Sequence, residues 1–373
     1  MNQSLDVVLV THEFPPERGG AGVYCQELAE GAHKIGISIE LLAPKGSVTN
    51  NNCKTTTLPW AGSQSWKSSI QLFLFLRKFL NKTDKKVIIH IADPGVCVAL
   101  IRFSFLFPRE TQFMVTIHGS ELLKFTRNPI KRFFFYIFLS KCSIVHLLSK
   151  FNYENCIKLF PSTKAKLKVI RGAPSRVVKL EPYSCLKKNR LHNLVLLCVG
   201  RIHPRKGQYE LIKAASALPQ EIASKLKLVF VGPIGSQSYF SKITKEYQKF
   251  KGQIDFKGDL PLNDLRVCYL NADIFCLCPT VQKKSVEGFG FVYLEASSFG
   301  LPILATRTGG VEDAVIEGKT GLIADPNKPG ELIEKLLFLV EDKVLRKKLG
   351  ENGKLWAKQH SWENIARKLY LEN

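Results

Sequence analysis

Residues 194–215 read LVLLCVGRIHPRKGQYELIKAA. The segment begins with a continuous apolar run, turns at Gly200, and becomes an amphipathic stretch after Gly207. A continuous apolar strand followed by an amphipathic helix is the repeating unit of a parallel sheet that helices cover on both faces. The segment therefore predicts a strand, a loop and a helix of an α/β domain.

The same alternation recurs on both sides of this segment. In the first half the predicted strands are Val7–Val10, Ile37–Leu42, Val87–Ala92, Phe113–His118, Ile144–Leu148 and Lys168–Ile170. In the second half they are Leu194–Gly200, Leu226–Val231, Ile254–Lys257, Ile274–Leu277, Pro302–Ala305 and Gly321–Ile323. Because helical segments separate these strands, the pattern predicts the α/β class with two doubly wound domains.

The domain boundary is predicted where the periodicity lapses, at Glu181–Asn193, because polar and charged residues cluster there before the next strand. We predict an N-terminal domain over residues 1–180 and a C-terminal domain over residues 181–355. The tail, residues 356–373, carries apolar residues at helical spacing. It predicts a C-terminal helix, and one interpretation is that this helix crosses between the domains.

The chain is strongly basic, with 54 Lys and Arg against 32 Asp and Glu among 373 residues, a formal net charge of +22. A positive surface attracts anions, whether nucleic acid, nucleotide phosphates or an acidic membrane face; the alternative is a generally basic surface that aids solubility. No apolar run reaches the roughly 18 residues that span a bilayer. Ten cysteines without a CxxC pair or a secretory signal favour a reducing, cytoplasmic location.

Three cations occupy the loop after the strand at residues 194–200, namely Arg201, Arg205 and Lys206. Ligands of open α/β sheets bind outside the carboxyl ends of the strands, so these side chains stand where a phosphate-bearing ligand would dock. A solvated basic loop is the alternative interpretation.

A pair of glutamates brackets a glycine-rich turn in SVEGFGFVYLE, residues 285–295. If a helix begins near Phe291, Glu295 lies about one turn into it while Glu287 stays in the loop. Carboxylates bind sugar hydroxyls, and free amides at a helix start suit phosphate or ring oxygens. Surface glutamates at chance spacing are the alternative.

A glycine cluster follows the first predicted strand, with Gly19, Gly20 and Gly22 before a helix from about Val23 to Lys34. The cluster predicts either a loop whose amides approach a phosphate or a structural turn. It does not match the dinucleotide fingerprint, because the glycines begin well after the strand. The sequence also contains no HExxH and no Asp-x-Asp motif, so no metal site is predicted.

Taken together, Gly19 with Gly20, the RIHPRKG segment, the spacing of Glu287 and Glu295, and TRTGGVEDAVIEGKTGLIADP at residues 306–326 resemble glycosyltransferase family 4. The resemblance covers nearly the whole chain and is closest to phosphatidylinositol mannosyltransferases and related bacterial lipid and polysaccharide enzymes. It implies the GT-B fold, two Rossmann-like domains facing a central cleft, and a retaining reaction without a metal or other cofactor.

The resemblance also implies roles for individual residues. Arg201 and Lys206 would neutralise the donor diphosphate, and the backbone of Gly19 and Gly20 would close over it. Glu295 would hold the ribose. The transferred sugar would be held by Glu287 and the amides of Gly288, Phe289 and Gly290. His118 in VTIHGSELL matches the histidine near the reacting carbon, whereas by itself it is equally consistent with a structural histidine.

The implied activity is transfer of a hexosyl group from GDP-mannose or a UDP-hexose to a lipid-linked or polysaccharide acceptor at the cytoplasmic membrane face. Residues 101–150 hold nine Phe, eight Lys and Arg and two acidic residues, a composition that suits an anionic lipid surface or a core helix with a basic outer face. A nucleotide-sugar epimerase and a basic nucleic-acid-binding protein are the competing functions. The sequence argues against nucleic acid as a partner, because it contains no RNP motif, zinc finger or helix-turn-helix signature.

Overall fold

The computed structural model describes residues 6–15, 19–48, 53–59, 64–82, 87–108, 110–179, 194–283 and 285–372. The chain forms two compact units. Unit 1 consists of Met1–Gly172 and Ser361–Asn373, and unit 2 consists of Ala173–His360. The predicted linker, Glu181–Asn193, lies outside the described residues. Among the described residues, no helix combines the length and the apolar character that crossing a membrane requires.

Unit 1 contains a seven-stranded parallel sheet in the order β3-β2-β1-β4-β5-β6-β7. Its strands are β1 (Asp6–Val10), β2 (Ile39–Ala43), β3 (Lys54–Thr57), β4 (Val87–Ile91), β5 (Gln112–Ile117), β6 (Cys142–Leu147) and β7 (Leu167–Val169). Its helices are α1 (Gly20–Lys34), α2 (Trp66–Leu80), α3 (Pro94–Phe103), α4 (Ser120–Thr126), α5 (Pro129–Lys141), α6 (Lys150–Leu159) and, from the C-terminal segment, α15 (Trp362–Tyr370).

Unit 2 contains a six-stranded parallel sheet in the order β10-β9-β8-β11-β12-β13. Its strands are β8 (Leu194–Val199), β9 (Leu226–Val231), β10 (Gln253–Phe256), β11 (Ile274–Leu277), β12 (Ile303–Thr306) and β13 (Gly321–Ala324). Its helices are α7 (Gln208–Ser216), α8 (Gln220–Ala223), α9 (Gln237–Tyr247), α10 (Leu262–Leu270), α11 (Phe291–Ser298), α12 (Val311–Ala314), α13 (Pro329–Glu341) and α14 (Lys343–Lys358).

The local sequence explains where these elements begin. All five residues of β4 are buried, as a strand covered on both faces requires. Asp93 then caps α3, because its Oδ1 accepts hydrogen bonds from the amides of Gly95 at 2.6 Å and Val96 at 3.1 Å. Pro94 at the first helical position has no amide that needs a partner.

The predicted strands are all present, with ends that agree to within about two residues. The sequence did not predict β3, the edge strand of unit 1. Its four residues, KTTT, are exposed or half-buried and carry no apolar alternation. Threonine favours extended backbone, but without a buried face the pattern did not stand out.

The division of the chain differs from the predicted boundaries, 180/181 and 355/356. Residues 173–178 belong to unit 2, where Nη1 of Arg266 donates to the carbonyls of Val177 and Val178, each at 3.1 Å. At the other boundary, α14 stays in unit 2, and Nε1 of Trp356 donates to the carbonyl of Ala314 at 3.0 Å. Only the last helix, α15, returns to unit 1, where the ring of Trp362 lies 5.6 Å from that of Tyr24.

Candidate functional site

The candidate site of unit 2 lies where the strand order reverses, between β8 and β11. Ligands of doubly wound sheets bind outside the carboxyl ends of the strands at such a point. The loops after β8 and β11 are tied together here. The amide of Thr280 donates to the carbonyl of Arg205 at 3.0 Å, and Oγ1 of Thr280 donates to the carbonyl of Pro204 at 2.9 Å.

Two residues set the shape of the loop after β8. Gly207 has φ of 71°, and a Cβ at this position would overlap the carbonyl oxygen of Cys278, so only glycine fits. Gln208 is fully buried, and its Nε2 donates to the carbonyl of Arg201 at 3.0 Å. These contacts hold the three cations of the loop at the edge of the sheet.

The centre of the site is an ion pair between Lys206 and Glu287. Nζ of Lys206 lies 2.8 Å from Oε2 of Glu287, and the two side chains are only 13% and 7% exposed. Nη1 of Arg205 lies 3.4 Å from the same oxygen. Burial by itself raises the pKa of Glu287, but the charges of Lys206 and Arg205 outweigh it and lower this pKa below its ordinary value of 4.5. Glu287 is therefore an ionised carboxylate at neutral pH.

Arg201 lies on the exposed side of the same loop, against the loop after β9. Its aliphatic stem covers Gly235, where a Cβ would overlap Cδ of Arg201. The amide of Gly235 donates to the carbonyl of Ile202 at 3.0 Å, and the amide of Gly232 donates to the carbonyl of Gly258 at 2.7 Å. The loops after β8, β9 and β10 thus form one continuous edge next to the Lys206–Glu287 pair.

The glycine-rich turn before α11 has the predicted form, since the helix begins at Phe291. Gly290 caps the helix with φ of 83°, and Phe289 is buried with Gly288 before it. Glu295, one turn into α11, is buried, and its Oε2 accepts a hydrogen bond from the hydroxyl of Tyr269 at 2.7 Å. Glu295 is therefore fixed beside α10, the helix that follows the loop after β10.

The sequence did not single out the residues that support Glu287 from behind. The amide of Gly310 donates to the carbonyl of Glu287 at 2.8 Å, and a Cβ at Gly309 would overlap that carbonyl oxygen. The signal was present, since the paired glycines lie in the TRTGG stretch that carried the family resemblance. Tyr269, in contrast, gave no signal, because nothing in its local sequence relates it to Glu295.

In unit 1, the two glycines at the start of α1, Gly19 and Gly20, differ in their surroundings. A Cβ at Gly19 would overlap the carboxylate of Glu13, whose Oε1 also accepts a hydrogen bond from the amide of Gly22 at 3.3 Å. Gly20 faces open space. The carboxylate of Glu13 thus lies at the helix start, where a phosphate-binding loop and a structural turn were the two predicted alternatives, and this contact favours the structural turn for Gly19.

His118 lies at the carboxyl end of β5 in unit 1 and is half-buried. Its amide donates to Oε1 of Glu121 at 3.0 Å, and its Nε2 donates to the carbonyl of Ala92 at 2.8 Å. Since a carbonyl only accepts, Nε2 carries the proton and Nδ1 is the basic nitrogen of the neutral ring. The structure thus brings Lys206, Glu287 and Arg205 together within unit 2, while His118 and the glycine turn belong to unit 1.

Two family models match the chain. The one described as Glycosyltransferase Family 4 matches residues 18–173, and the one described as Glycosyl transferases group 1 matches residues 187–356. An uncharacterized glycosyltransferase of Methanocaldococcus jannaschii is 31% identical over 293 residues, which cover 76% of this chain and 74% of that protein. A GDP-mannose-dependent alpha-(1-6)-phosphatidylinositol monomannoside mannosyltransferase of Mycobacterium tuberculosis is 22% identical over 97% of this chain and 96% of its own.

Among solved structures, Anabaena HepE in complex with UDP matches with a TM-score of 0.76 at 18% identity, over 98% of both chains. At this identity the match shows the fold, which is the GT-B arrangement of two Rossmann-like domains. The family models follow the order of the two parallel-sheet units, and the relative from M. jannaschii spans three quarters of the chain. The chain belongs to the family 4, group 1 glycosyltransferases.

Proposed function

We propose that this glycosyltransferase is a retaining enzyme that transfers a hexosyl group from a nucleotide-diphosphate sugar, GDP-mannose or a UDP-hexose, to a lipid-linked or polysaccharide acceptor at the cytoplasmic membrane face. The observation that carries the proposal is the buried pair of Lys206 and Glu287, 2.8 Å apart beyond the carboxyl end of β8. It sets a cation for a diphosphate beside a carboxylate for sugar hydroxyls.

The proposed reaction breaks the bond between the sugar C1 and the diphosphate oxygen. Negative charge develops on the leaving oxygen, where Arg201 and Lys206 stabilise it through charge-assisted hydrogen bonds of about 1.5–3 kcal/mol each. Glu287 and the amides of residues 288–290 bind the sugar, and the acceptor hydroxyl gives its proton to the leaving diphosphate as its oxygen bonds to C1. Glu295 binds the ribose, and His118 acts near the reacting carbon.

In this proposal cationic side chains supply the charge that a divalent metal would otherwise provide. Transfer activity is therefore expected to persist in EDTA. Complete loss of activity on chelation, restored by Mn²⁺ or Mg²⁺, would contradict metal independence.

A basic and aromatic surface on unit 1 supports a membrane-bound acceptor. On and before α5, Ile130 and Phe133 are 68% and 59% exposed, and exposed cations flank them: Arg127, Lys131 and Arg132. Within the described part of the chain these cations form no ion pair with a carboxylate. Each unpaired basic side chain near an anionic bilayer contributes about 1 kcal/mol of attraction.

Donor binding is tested by thermal shift with GDP-mannose, UDP-glucose, UDP-galactose, UDP-N-acetylglucosamine and plain nucleotides. A ligand of the folded state raises the midpoint by mass action. We expect one nucleotide sugar to stabilise the wild type but not the Arg201→Ala, Lys206→Ala double variant. The matched control is Lys227→Ala, Arg346→Ala, which removes one lysine and one arginine elsewhere in unit 2. No stabilisation by any nucleotide sugar would contradict the donor site.

The reaction class is tested by following free nucleoside diphosphate. A transferase releases it in step with acceptor glycosylation, whereas a nucleotide-sugar epimerase converts the donor without an acceptor.

Membrane binding is tested by co-sedimentation with phosphatidylglycerol and phosphatidylcholine vesicles. We expect Ile130→Ser, Phe133→Ser to bind anionic vesicles less than a control with Val344→Ser, Leu355→Ser, which are as exposed but lie in unit 2. Equal behaviour of both variants would contradict this surface as the membrane contact.

A further inference from the structure

Two cations converge on one oxygen of Glu287, and the proposed reaction uses only one of them. Lys206 lies 2.8 Å from Oε2 and is assigned to the donor diphosphate. Arg205, 3.4 Å from the same oxygen, has no assigned role. The side chain of Arg205 is 26% exposed, so this guanidinium is itself largely removed from water.

The structure anchors Arg205 toward the Glu287 loop. Its Nη1 donates to the carbonyl of Val286 at 2.9 Å, its own carbonyl accepts from the amide of Thr280 at 3.0 Å, and its amide donates to Nδ1 of His203 at 3.2 Å. The guanidinium that donates to the carbonyl of Val286 points toward residues 286–287. It lies 3.4 Å from Oε2 of Glu287 while it keeps its hydrogen bond to Val286.

Binding of a diphosphate changes the electrostatics of Glu287. A lysine has three donors but one charge, so phosphate oxygens at Lys206 share the charge that compensates the carboxylate. The diphosphate also brings negative charge close to Glu287. A buried carboxylate that loses the positive charge beside it takes up a proton. One of its two oxygens then becomes a hydroxyl, which donates a hydrogen bond where the carboxylate accepted one from a sugar hydroxyl.

We propose that Arg205 is a positioning residue that keeps Glu287 ionised and in place while the donor diphosphate occupies Lys206. This inference rests on the proposed function. Among the described residues, the charged and titratable groups that face Glu287 are Lys206 and Arg205 from the loop after β8 and Tyr293 from α11. Tyr293 stays neutral, because its hydroxyl donates to the carbonyl of Leu277 at 2.9 Å and burial raises its pKa.

His203 also contacts Arg205, through its Nδ1, and because it titrates it requires a control. Burial lowers the pKa of His203, and the charge of Arg205 lowers it further. Removing Arg205 therefore raises the pKa of both His203 and Glu287. The pH profiles are compared in a His203→Asn background, where the amide oxygen can accept the hydrogen bond from the amide of Arg205 and the position no longer titrates.

The experiment compares Arg205→Gln and Arg205→Lys with Arg346→Gln, an arginine of unit 2 whose Nη1 donates to the carbonyls of Leu339 and Val340. Affinity for the nucleoside diphosphate of the stabilising donor is measured by calorimetry, and kcat and KM are measured from pH 4 to 8. For Arg205→Gln we expect diphosphate affinity within about threefold of wild type and an acid limb of kcat raised by about one pH unit, so that kcat falls by up to about tenfold on that limb and much less at pH 8. Arg205→Lys restores most of kcat because it retains the charge.

Two results would overturn the inference alone. One is an unchanged kcat and acid limb in Arg205→Gln; the other is a loss of diphosphate affinity as large as that of Lys206→Ala, which would make Arg205 a direct phosphate ligand. If Arg205→Gln does not fold, the same test is made with Arg205→Lys, in which the acid limb of kcat should rise by a smaller amount. A wild type that binds no nucleotide sugar would instead overturn the proposed function, and this inference with it, before any Arg205 variant is measured.

Discussion

Both units are doubly wound parallel sheets, yet each has a buried polar cluster at a different place in its sheet. In unit 2, Lys206, Glu287 and Arg205 lie beyond the carboxyl ends of the strands and carry charge. In unit 1, His90 and His146 lie within β4 and β6, and both are completely buried. Burial inside a sheet leaves no room for a counter-charge or for a ligand, whereas burial at its edge leaves one side open to both.

The unit 1 groups form a neutral hydrogen-bonded network across three adjacent strands. His90 bonds through Nδ1 to the hydroxyl of Tyr370 at 2.6 Å and through Nε2 to Oγ1 of Thr116 at 2.7 Å. Nδ1 of His146 lies 3.0 Å from Oγ1 of Thr116 and 3.1 Å from the hydroxyl of Tyr24. Burial lowers the pKa of both histidines, that of His146 to about 4. The network joins α1 and α15 to the sheet, so its role is to hold the unit together.

The largest expected difference between the units concerns their glycine loops. Gly207→Ala forces a side chain into φ of 71° and against the backbone of Cys278, so we expect unit 2 to lose about 3 kcal/mol or more. Gly20→Ala meets open space at the first residue of α1, so the stability of unit 1 should be unchanged or rise by less than about 1 kcal/mol. Urea unfolding of both variants measures this contrast. An equal loss of unfolding free energy in both variants would contradict the proposed difference between the two loops.

A second, smaller difference is expected in the pH dependence of stability. The unfolded chain protonates His146 near pH 6.5 and the folded chain only near pH 4, so unit 1 is fully stabilised above pH 6.5 and loses stability as pH falls toward 4. At pH 5 the loss from His146 alone is roughly 2 kcal/mol. Glu287 also has a lowered pKa, but its contribution is lost only below about 4.5.

Hydrogen exchange measured between pH 7 and pH 5, corrected for the intrinsic rate, separates the two units. Amides of β4–β6 should lose protection in this range, while amides of β8 and β11 should not. His146→Asn serves as the control, since it removes one of the two titrating histidines and should reduce the response of unit 1, while His90 keeps the remainder. Equal losses in both units would contradict the assignment of the acid sensitivity to the buried histidines.

The sequence predicted what depends on neighbouring residues and missed what depends on distant ones. Continuous apolar strands located both sheets, and a glycine before Phe291 located the start of α11. The ion pair of Lys206 with Glu287 joins residues 81 positions apart, and the bond between His90 and Tyr370 joins residues 280 positions apart. No periodicity relates such distant partners. The sequence therefore predicted Lys206 and Glu287 as site residues but not that they form an ion pair, and it identified Arg205 only as one of three cations in the loop.

The C-terminal helix shows the same limit, because helical spacing predicted that a helix exists but not which unit receives it. Its hydrophobic face contains Trp362, which is buried against Tyr24, and Tyr370, which bonds to His90. Either sheet could in principle cover an apolar helix. In unit 1 that face also makes a polar contact, between Tyr370 and His90, which only the folded structure displays.

The smallest expected effect tests that contact directly. Tyr370→Phe keeps the ring but removes the hydroxyl that bonds to Nδ1 of His90, so one buried nitrogen loses its partner and unit 1 should be destabilised by about 1 kcal/mol. The matched control is Tyr247→Phe on an exposed helix of unit 2, which should cost nothing measurable. Urea unfolding gives the free energy, and hydrogen exchange shows where it acts. If the network docks α15, protection falls first in that helix and in β4. If protection instead falls evenly through unit 1, or nowhere, the hydroxyl does not hold the helix and packing of Trp362 alone accounts for its place in unit 1.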